Sequence, residues 1–335
     1  MHDRSPPIDD PLPVVRAADL DDGNTDALWL VEPLWARAAV GVLGGAPKSC
    51  KSWLALDLAV SVASGSSCLG AFDVDDQGPV LLYMAEDAAP VVKARLRGIC
   101  TTRSLELADL PIHVITAPVL RLDRGRDQAR LRDAIRRCAP RLLILDPFVR
   151  LHRIDENDAG EVSALLGYLR TLQRQFDVAV LVVHHARKNG ASGAQPGLAL
   201  RGSGDFHAWG DSNLYLRRQK DALVLTIEHR AAAPPDPLRL HLVARPGGGG
   251  SERAEDAHLE LLDDGDSSSP DDRSSDLDRL VIDALTAAGG PRTRAQLRAE
   301  LRVRNSRLGQ ALVRLVAAGV LLRDRDRWAV PVPTP

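Results

Sequence analysis

Short, continuous apolar runs recur along most of the chain, and each is followed by a stretch whose apolar residues return at helical spacing. The runs are 38–43, 80–84, 112–116, 142–145 and 178–183. A run that is apolar at every position reads as a strand covered on both faces, as in a parallel sheet. Helical spacing follows over 53–63, 91–100, 127–138 and 161–176. Strand and helix in strict alternation predict right-handed βαβ units, hence an α/β fold with a mainly parallel sheet. Trp29 to Pro33 leads into the first strand, and 214–218, 222–229 and 238–243 read as a strand, a hairpin and a strand added antiparallel at the sheet edge.

Breaks in this pattern divide the chain. Residues 1–27 are rich in Pro and Asp and cannot bury a face, so they read as a flexible lead-in. The α/β domain spans 28–246. Residues 247–276 open on four glycines and continue with six acidic residues against one Arg over 263–276, the composition of a linker. Residues 277–331 form a second small domain. There Leu277, Leu280, Val281 and Leu285 fall at helical spacing, Thr293 caps a helix running to Leu301, and Asn305 or Ser306 starts a third helix to Ala318. Two short strands joined by a charged turn follow over 320–330.

Composition narrows the function classes. A net charge of −2 over 335 residues gives no global attraction to nucleic acid or membrane. The four cysteines, Cys50, Cys68, Cys100 and Cys138, have no C-x-x-C pair, which argues against zinc and fits a reducing cytosol. No apolar run approaches the ~20 residues of a membrane span and no secretory signal is recognisable, so a soluble cytoplasmic protein is expected. Only five of the 43 basic residues are Lys, and Lys48 and Lys51 lie in one loop.

That loop carries the strongest chemical signal. Gly45-Ala46-Pro47-Lys48-Ser49-Cys50-Lys51-Ser52, followed by Trp53, sits between a strand and a helix and follows G-x-x-x-x-G-K-[ST] except that Cys50 replaces the second Gly. In this pattern backbone N–H groups cradle phosphates, the Lys reaches the β- and γ-phosphates, and the hydroxyl binds Mg²⁺. The residues of 45–53 are therefore expected to bind ATP. A left-handed conformation at residue 50 costs a Cβ about 1–2 kcal/mol. A thiol at a helix N-terminus is also expected to have a lowered pKa.

Ligands of open α/β sheets bind beyond the carboxyl ends of the strands, and three strands here end in suitable groups. Asp146 matches a Walker B aspartate that would hold Mg²⁺ together with Ser52. Glu86, with Asp87 as its rival, is placed to orient the attacking water. His184 or His185 ends the last core strand, where a γ-phosphate contact is expected.

Five ordered segments now resemble one family: Gly-Gly-Ala-Pro-Lys-Ser-Cys-Lys-Ser from Gly44, Leu-Leu-Tyr-Met-Ala-Glu-Asp to Asp87, Leu-Leu-Ile-Leu-Asp-Pro-Phe to Phe148, Val-Val-His-His-Ala-Arg-Lys to Lys188, and Arg-Gly-Ser-Gly from Arg201. Together they resemble the RecA-like, AAA-type P-loop ATPases of the RepA kind, the hexameric replicative helicases. The resemblance implies a RecA-like P-loop NTPase core over 29–243 and a Mg²⁺-dependent ATPase with Lys51, Glu86, His185 and Arg201 as catalytic residues. In it Glu86 is the catalytic carboxylate, His185 the γ-phosphate sensor and Arg201 the arginine finger, with Arg187 and Lys188 as competitors for the last role. It further implies a homo-hexamer or other ring with single-stranded DNA in its channel, touched by Arg150, His152, Arg153 and Lys188.

The C-terminal segment resembles a winged helix-turn-helix domain in outline. Ten Arg and three acidic residues between Arg292 and Arg327 suit duplex DNA, with Arg304, Arg307 and Arg314 on or near the third helix. The leading expectation is a DNA-acting ring ATPase, a replicative helicase or helicase loader. The alternatives are an ATP-switched DNA-binding regulator that does not unwind, and a non-hydrolysing winged-helix binding protein.

Overall fold

The computed structural model describes residues 14–19, 28–156, 158–185, 203–219, 222–244, 257–262, 270–301, 303, 305–324 and 327–331. Strands β1 (Trp29–Val31) and β2 (Trp35–Ala36) make a small antiparallel hairpin. The α/β core then runs β3 (Val40–Gly45), α1 (Lys51–Ser64), β4 (Val80–Met84), α2 (Ala89–Thr102), β5 (Ile112–Val114), α3 (Gly125–Cys138), β6 (Leu142–Asp146), α4 (Ala159–Phe176) and β7 (Ala179–His185). After α5 (Ser203–Trp209) come β8 (Ser212–Gln219), β9 (Ala222–His229), β10 (Leu238–Ala244) and β11 (Ala257–Leu261). Strands β3 to β11 build one nine-stranded sheet in the order β11-β10-β9-β8-β3-β7-β6-β4-β5.

The continuous apolar strands sort their side chains by parity. Leu142, Ile144, Leu181 and Val183 join the core under α1 and α2, whereas Leu143, Leu145, Val180 and Val182 join the core under α3 and α4. A slip of one residue would exchange the two sets, so the burial, worth about 1.5–3 kcal/mol for each such side chain, holds the register. Register in turn places the strand ends: Gly45 lies opposite His185, and Met84 opposite Asp146.

Two features differ from the sequence reading. β8 pairs parallel to β3, and the antiparallel part begins only at β9. Where these strands meet, a Cβ on Gly41 would overlap the Ser212 carbonyl oxygen. The expected linker over 247–276 is interrupted in its middle and at its C-terminal end. Residues 257–261 form β11, whose Ala257 and Leu259 enter the core, and Pro270 starts α6 (Pro270–Ala288). Alternation in Ala-His-Leu-Glu-Leu and a Pro followed by two Asp were the local signals for a strand and a helix start.

The C-terminal domain packs α6, α7 (Arg294–Leu301) and α8 (Asn305–Ala317) around a separate apolar cluster of Val281, Leu285, Leu297, Leu308, Leu312 and Trp328. A three-stranded sheet closes it: β12 (Arg292–Thr293) joins β13 (Leu322–Asp324) and β14 (Arg327–Ala329). Thr293 caps α7 reciprocally, its hydroxyl accepting from the Gln296 amide at 3.3 Å and its own amide donating to the Gln296 side chain at 3.0 Å. Among the described residues no helix is long and apolar enough to cross a membrane.

Candidate functional site

The site lies at the carboxyl edge of the parallel strands, where the chain turns from β3 into α1. Gly45 is required there, because a Cβ would overlap the Leu216 carbonyl oxygen of β8 and sit 2.9 Å from the Ser49 hydroxyl. Ala46, Pro47 and Lys48 are exposed, and Ser49 turns inward to donate to the Ala46 carbonyl at 2.8 Å. Lys48 and Cys50 are both left-handed, with φ of 62° and 64°. Cys50 occupies the N-cap of α1 without a side-chain cap, so the first-turn N–H groups face the loop unsatisfied by it. Such a helix start is suited to an anion.

Lys51 is buried, and its ammonium donates to the carbonyls of Gly45 at 3.0 Å and Ala46 at 2.7 Å. Burial pulls its pKa down to about 8, against the opposing pull of Asp146. The Ser52 hydroxyl donates to Asp146 Oδ2 at 2.6 Å, tying the start of α1 to the end of β6. Burial pushes the Asp146 carboxyl up to about 6 although the Ser52 hydrogen bond and Lys51 oppose it. Ser52, Asp146, Met84, Glu86, Asp87 and Arg95 line an open cleft of about 140 Å³.

The two carboxylates after β4 are held differently. Glu86 pairs with Arg150 at 2.8 Å, both side chains half exposed. Asp87 pairs with Arg95 at 2.6 Å, and the Arg95 guanidinium lies 5.3 Å over the Trp53 ring. Trp53 is thus buried beneath Arg95 rather than lining the cleft. The histidines also separate. His184 is fully buried and stacks on Phe206 at 4.4 Å, whereas His185 is half-buried beside the phosphate loop.

Three expectations change. His152 is buried against Phe148, with centroids 4.5 Å apart, and is therefore not placed to touch a nucleic-acid backbone. Arg150 is engaged by Glu86. The Cys50 thiol is raised, not lowered, because burial outweighs Arg218 and Lys51. Arg187, Lys188, Arg201 and Arg304 lie outside the described residues, as do the side chains of Arg307 and Arg314.

Sequence reasoning missed Arg95 and Arg218. Arg218 lies at the exposed tip of β8 and places a guanidinium nitrogen 4.0 Å from the Cys50 sulfur. Only the pairing of β8 with β3 brings it there, so no local pattern marks it. Arg95 follows Asp87 by eight positions, a spacing that signals nothing until α2 folds back.

The oxygen donors fit a magnesium ion bridging protein and phosphate, since Mg²⁺ takes one or two carboxylate or hydroxyl ligands and completes its shell with phosphate and water. Among the described residues there is no cluster of three or more His, Cys, Asp or Glu that would hold a metal unaided.

A glycine-led loop on a parallel strand, a buried Lys, and a Ser bonded to the aspartate that ends the strand two places along the sheet define a RecA-like P-loop NTPase core. A family model of AAA domains, AAA_25, matches residues 4–191, more than half of the chain, and the chain belongs to that family. Among solved structures the fold is similar to that of a DnaB-like replicative helicase described with its interactions with primase. That match has 16% identity and a TM-score of 0.50, and covers 62% of this chain and 56% of the helicase. A separately solved ATPase domain matches at 16% identity and a TM-score of 0.47, over 61% of this chain and 81% of that one. The RadB recombinase matches at 15% identity and a TM-score of 0.47, over 68% and 91%.

Proposed function

We propose that this chain is a Mg²⁺-dependent ATPase that acts on DNA as a ring, in the manner of the RepA-like replicative helicases or their loaders. The observation that carries the reading is the 2.6 Å Ser52–Asp146 hydrogen bond, which joins phosphate loop and strand-end carboxylate across the cleft that Glu86 borders. The amides of 45–52 and Lys51 bind the triphosphate, Ser52 and Asp146 hold Mg²⁺, and the metal supplies charge neutralisation for phosphoryl transfer. Glu86 orients the attacking water once Arg150 yields it, and His185 reads the γ-phosphate. Arg201 of a neighbouring subunit completes the site, as the resemblance to ring helicases suggests. Residues 277–331 act as a winged helix on duplex DNA, with α8 as the groove-reading helix.

The test is steady-state ATP hydrolysis with and without single-stranded DNA, alongside a mass measurement. Six-fold assembly and DNA-stimulated turnover are expected, with Glu86→Gln losing about 10²-fold or more in kcat while still binding nucleotide. Lys51→Ala and Glu86→Gln variants that hydrolyse ATP like the parent refute the reading.

A further inference from the structure

The C-terminal domain does not hang free of the core. The segment after α1 forms a stiff platform. The carboxylate of Asp57 on α1 accepts from the Leu69 amide at 2.9 Å and pairs with Arg103 at 2.6 Å. The segment is also bonded to β1 and the turn after it, where the Glu32 amide donates to the Asp73 carbonyl at 3.0 Å and the Asp75 amide to the Leu30 carbonyl at 3.1 Å. This platform presents Glu32, Asp73 and Asp75, while the adjoining Asp76 is already engaged by Arg37 at 3.1 Å and Arg141 at 3.2 Å.

Arg294, the first residue of α7, enters that platform. Its side chain is 8% exposed, pairs with Asp73 at 2.8 Å and donates to the Ala71 carbonyl. Arg298, one turn on, pairs with Glu32 at 3.5 Å at the half-exposed rim. A guanidinium that shares a carboxylate and a carbonyl in a buried slot is a fixed plug, unlike a solvated surface pair. The contact extends to α8: a Cβ on Gly309 would stand 2.6 Å from the Ala71 carbonyl oxygen, so the helix lies backbone to backbone against the core.

That closeness leaves no room for a DNA backbone on this side of α8. A helix with its side chains is about 10–12 Å wide and the major groove is about 12 Å wide, so an inserted helix fills the groove between its two phosphate walls. A core loop seated against one side of that helix takes space that a phosphate wall would need. We propose that Arg294 and Arg298 latch the C-terminal domain onto the acidic platform in a state that cannot admit duplex to α8, and that duplex phosphates and the platform carboxylates compete for this domain. The proposal rests on the reading of residues 277–331 as a duplex-binding domain, and its test separates the two.

Asp73→Asn with Glu32→Gln removes the two carboxylates that Arg294 and Arg298 engage, while leaving every arginine of the C-terminal domain in place. The amide introduced at position 73 retains an oxygen for the Ser67 hydroxyl, which donates to Asp73 at 3.0 Å. Full-length parent and variant are compared by small-angle scattering and by fluorescence anisotropy with a labelled duplex of about 20 base pairs. A larger radius of gyration and about tenfold tighter duplex binding are expected, since apparent affinity scales with the fraction undocked. Compactness lost in Glu32→Arg alone and restored in the charge-swapped pair, Glu32→Arg with Arg298→Glu, supports the latch by a route that spares the buried slot. Unchanged scattering and unchanged affinity in the first variant overturn the latch. A larger radius without duplex binding in either protein leaves the docking standing and overturns the competition together with the duplex-binding reading.

Discussion

Residue 50 offers a direct measurement of what the phosphate loop tolerates. The loop needs a left-handed residue before Lys51, and Cys50 supplies it at φ 64° and ψ 22° despite its Cβ. Holding a Cβ there costs about 1–2 kcal/mol. Replacing Ala by Gly returns about 0.4–1 kcal/mol of that through the greater freedom of the unfolded chain. The difference between Cys50→Ala and Cys50→Gly removes the thiol from both sides of the comparison and isolates the backbone. The Gly variant is therefore expected to be more stable than the Ala variant by about 1 kcal/mol, or roughly 2–4 °C in Tm for a domain of this size. The half-buried thiol itself packs on the core, so parent and Gly variant should lie within about 1 kcal/mol of each other. Urea titration of the three chains, with Mg-ATP absent, is the assay. An Ala variant more stable than the Gly variant would mean that residue 50 is not left-handed, and the account of the loop would fail with it.

The remaining predictions follow from burial and charge. With Lys51 at about 8 and Asp146 at about 6, the ammonium is lost as pH rises through 8 and the carboxylate as pH falls through 6. Nucleotide affinity measured by titration calorimetry with Mg-ATP should therefore peak between these values. For the free protein, the unfolded chain binds more protons than the native one at Lys51 above about pH 8, and below about pH 6 the native chain binds more at Asp146. This pair thus makes its smallest contribution to stability between about pH 6 and 8, and Mg-ATP should raise Tm most there. Gly41→Ala forces a Cβ into the Ser212 carbonyl and should cost about 3 kcal/mol or more in chemical denaturation. Asp57→Ala strands Arg103, whose side chain is 13% exposed, and should cost about 3–5 kcal/mol by the same measurement. Alkylation of Cys50 by a maleimide, followed by peptide mass mapping, should be slower at neutral pH than that of an exposed free thiol, because burial raises its pKa.

Periodicity and loop chemistry in the chain were enough for the α/β class, the strands that carry the site, and the groups at their ends. These are local properties: an apolar run, a glycine-led loop and a terminal carboxylate all lie within a few residues of one another. β11 was missed because five residues with only two apolar side chains in the core carry little pattern inside a polar stretch. Other decisions belonged to the tertiary structure alone. The choice between adjacent His184 and His185 depended on Phe148 and Phe206, which arrive from the turn after β6 and from α5. The direction of the Cys50 shift depended on how deeply the loop is buried, which the loop does not encode. Arg218, Arg150 and Arg294 gained their partners only through contacts across 168, 64 and 223 residues. Charge pairing at such separations leaves no mark on local composition, because one Arg among many is selected by where the backbone brings it.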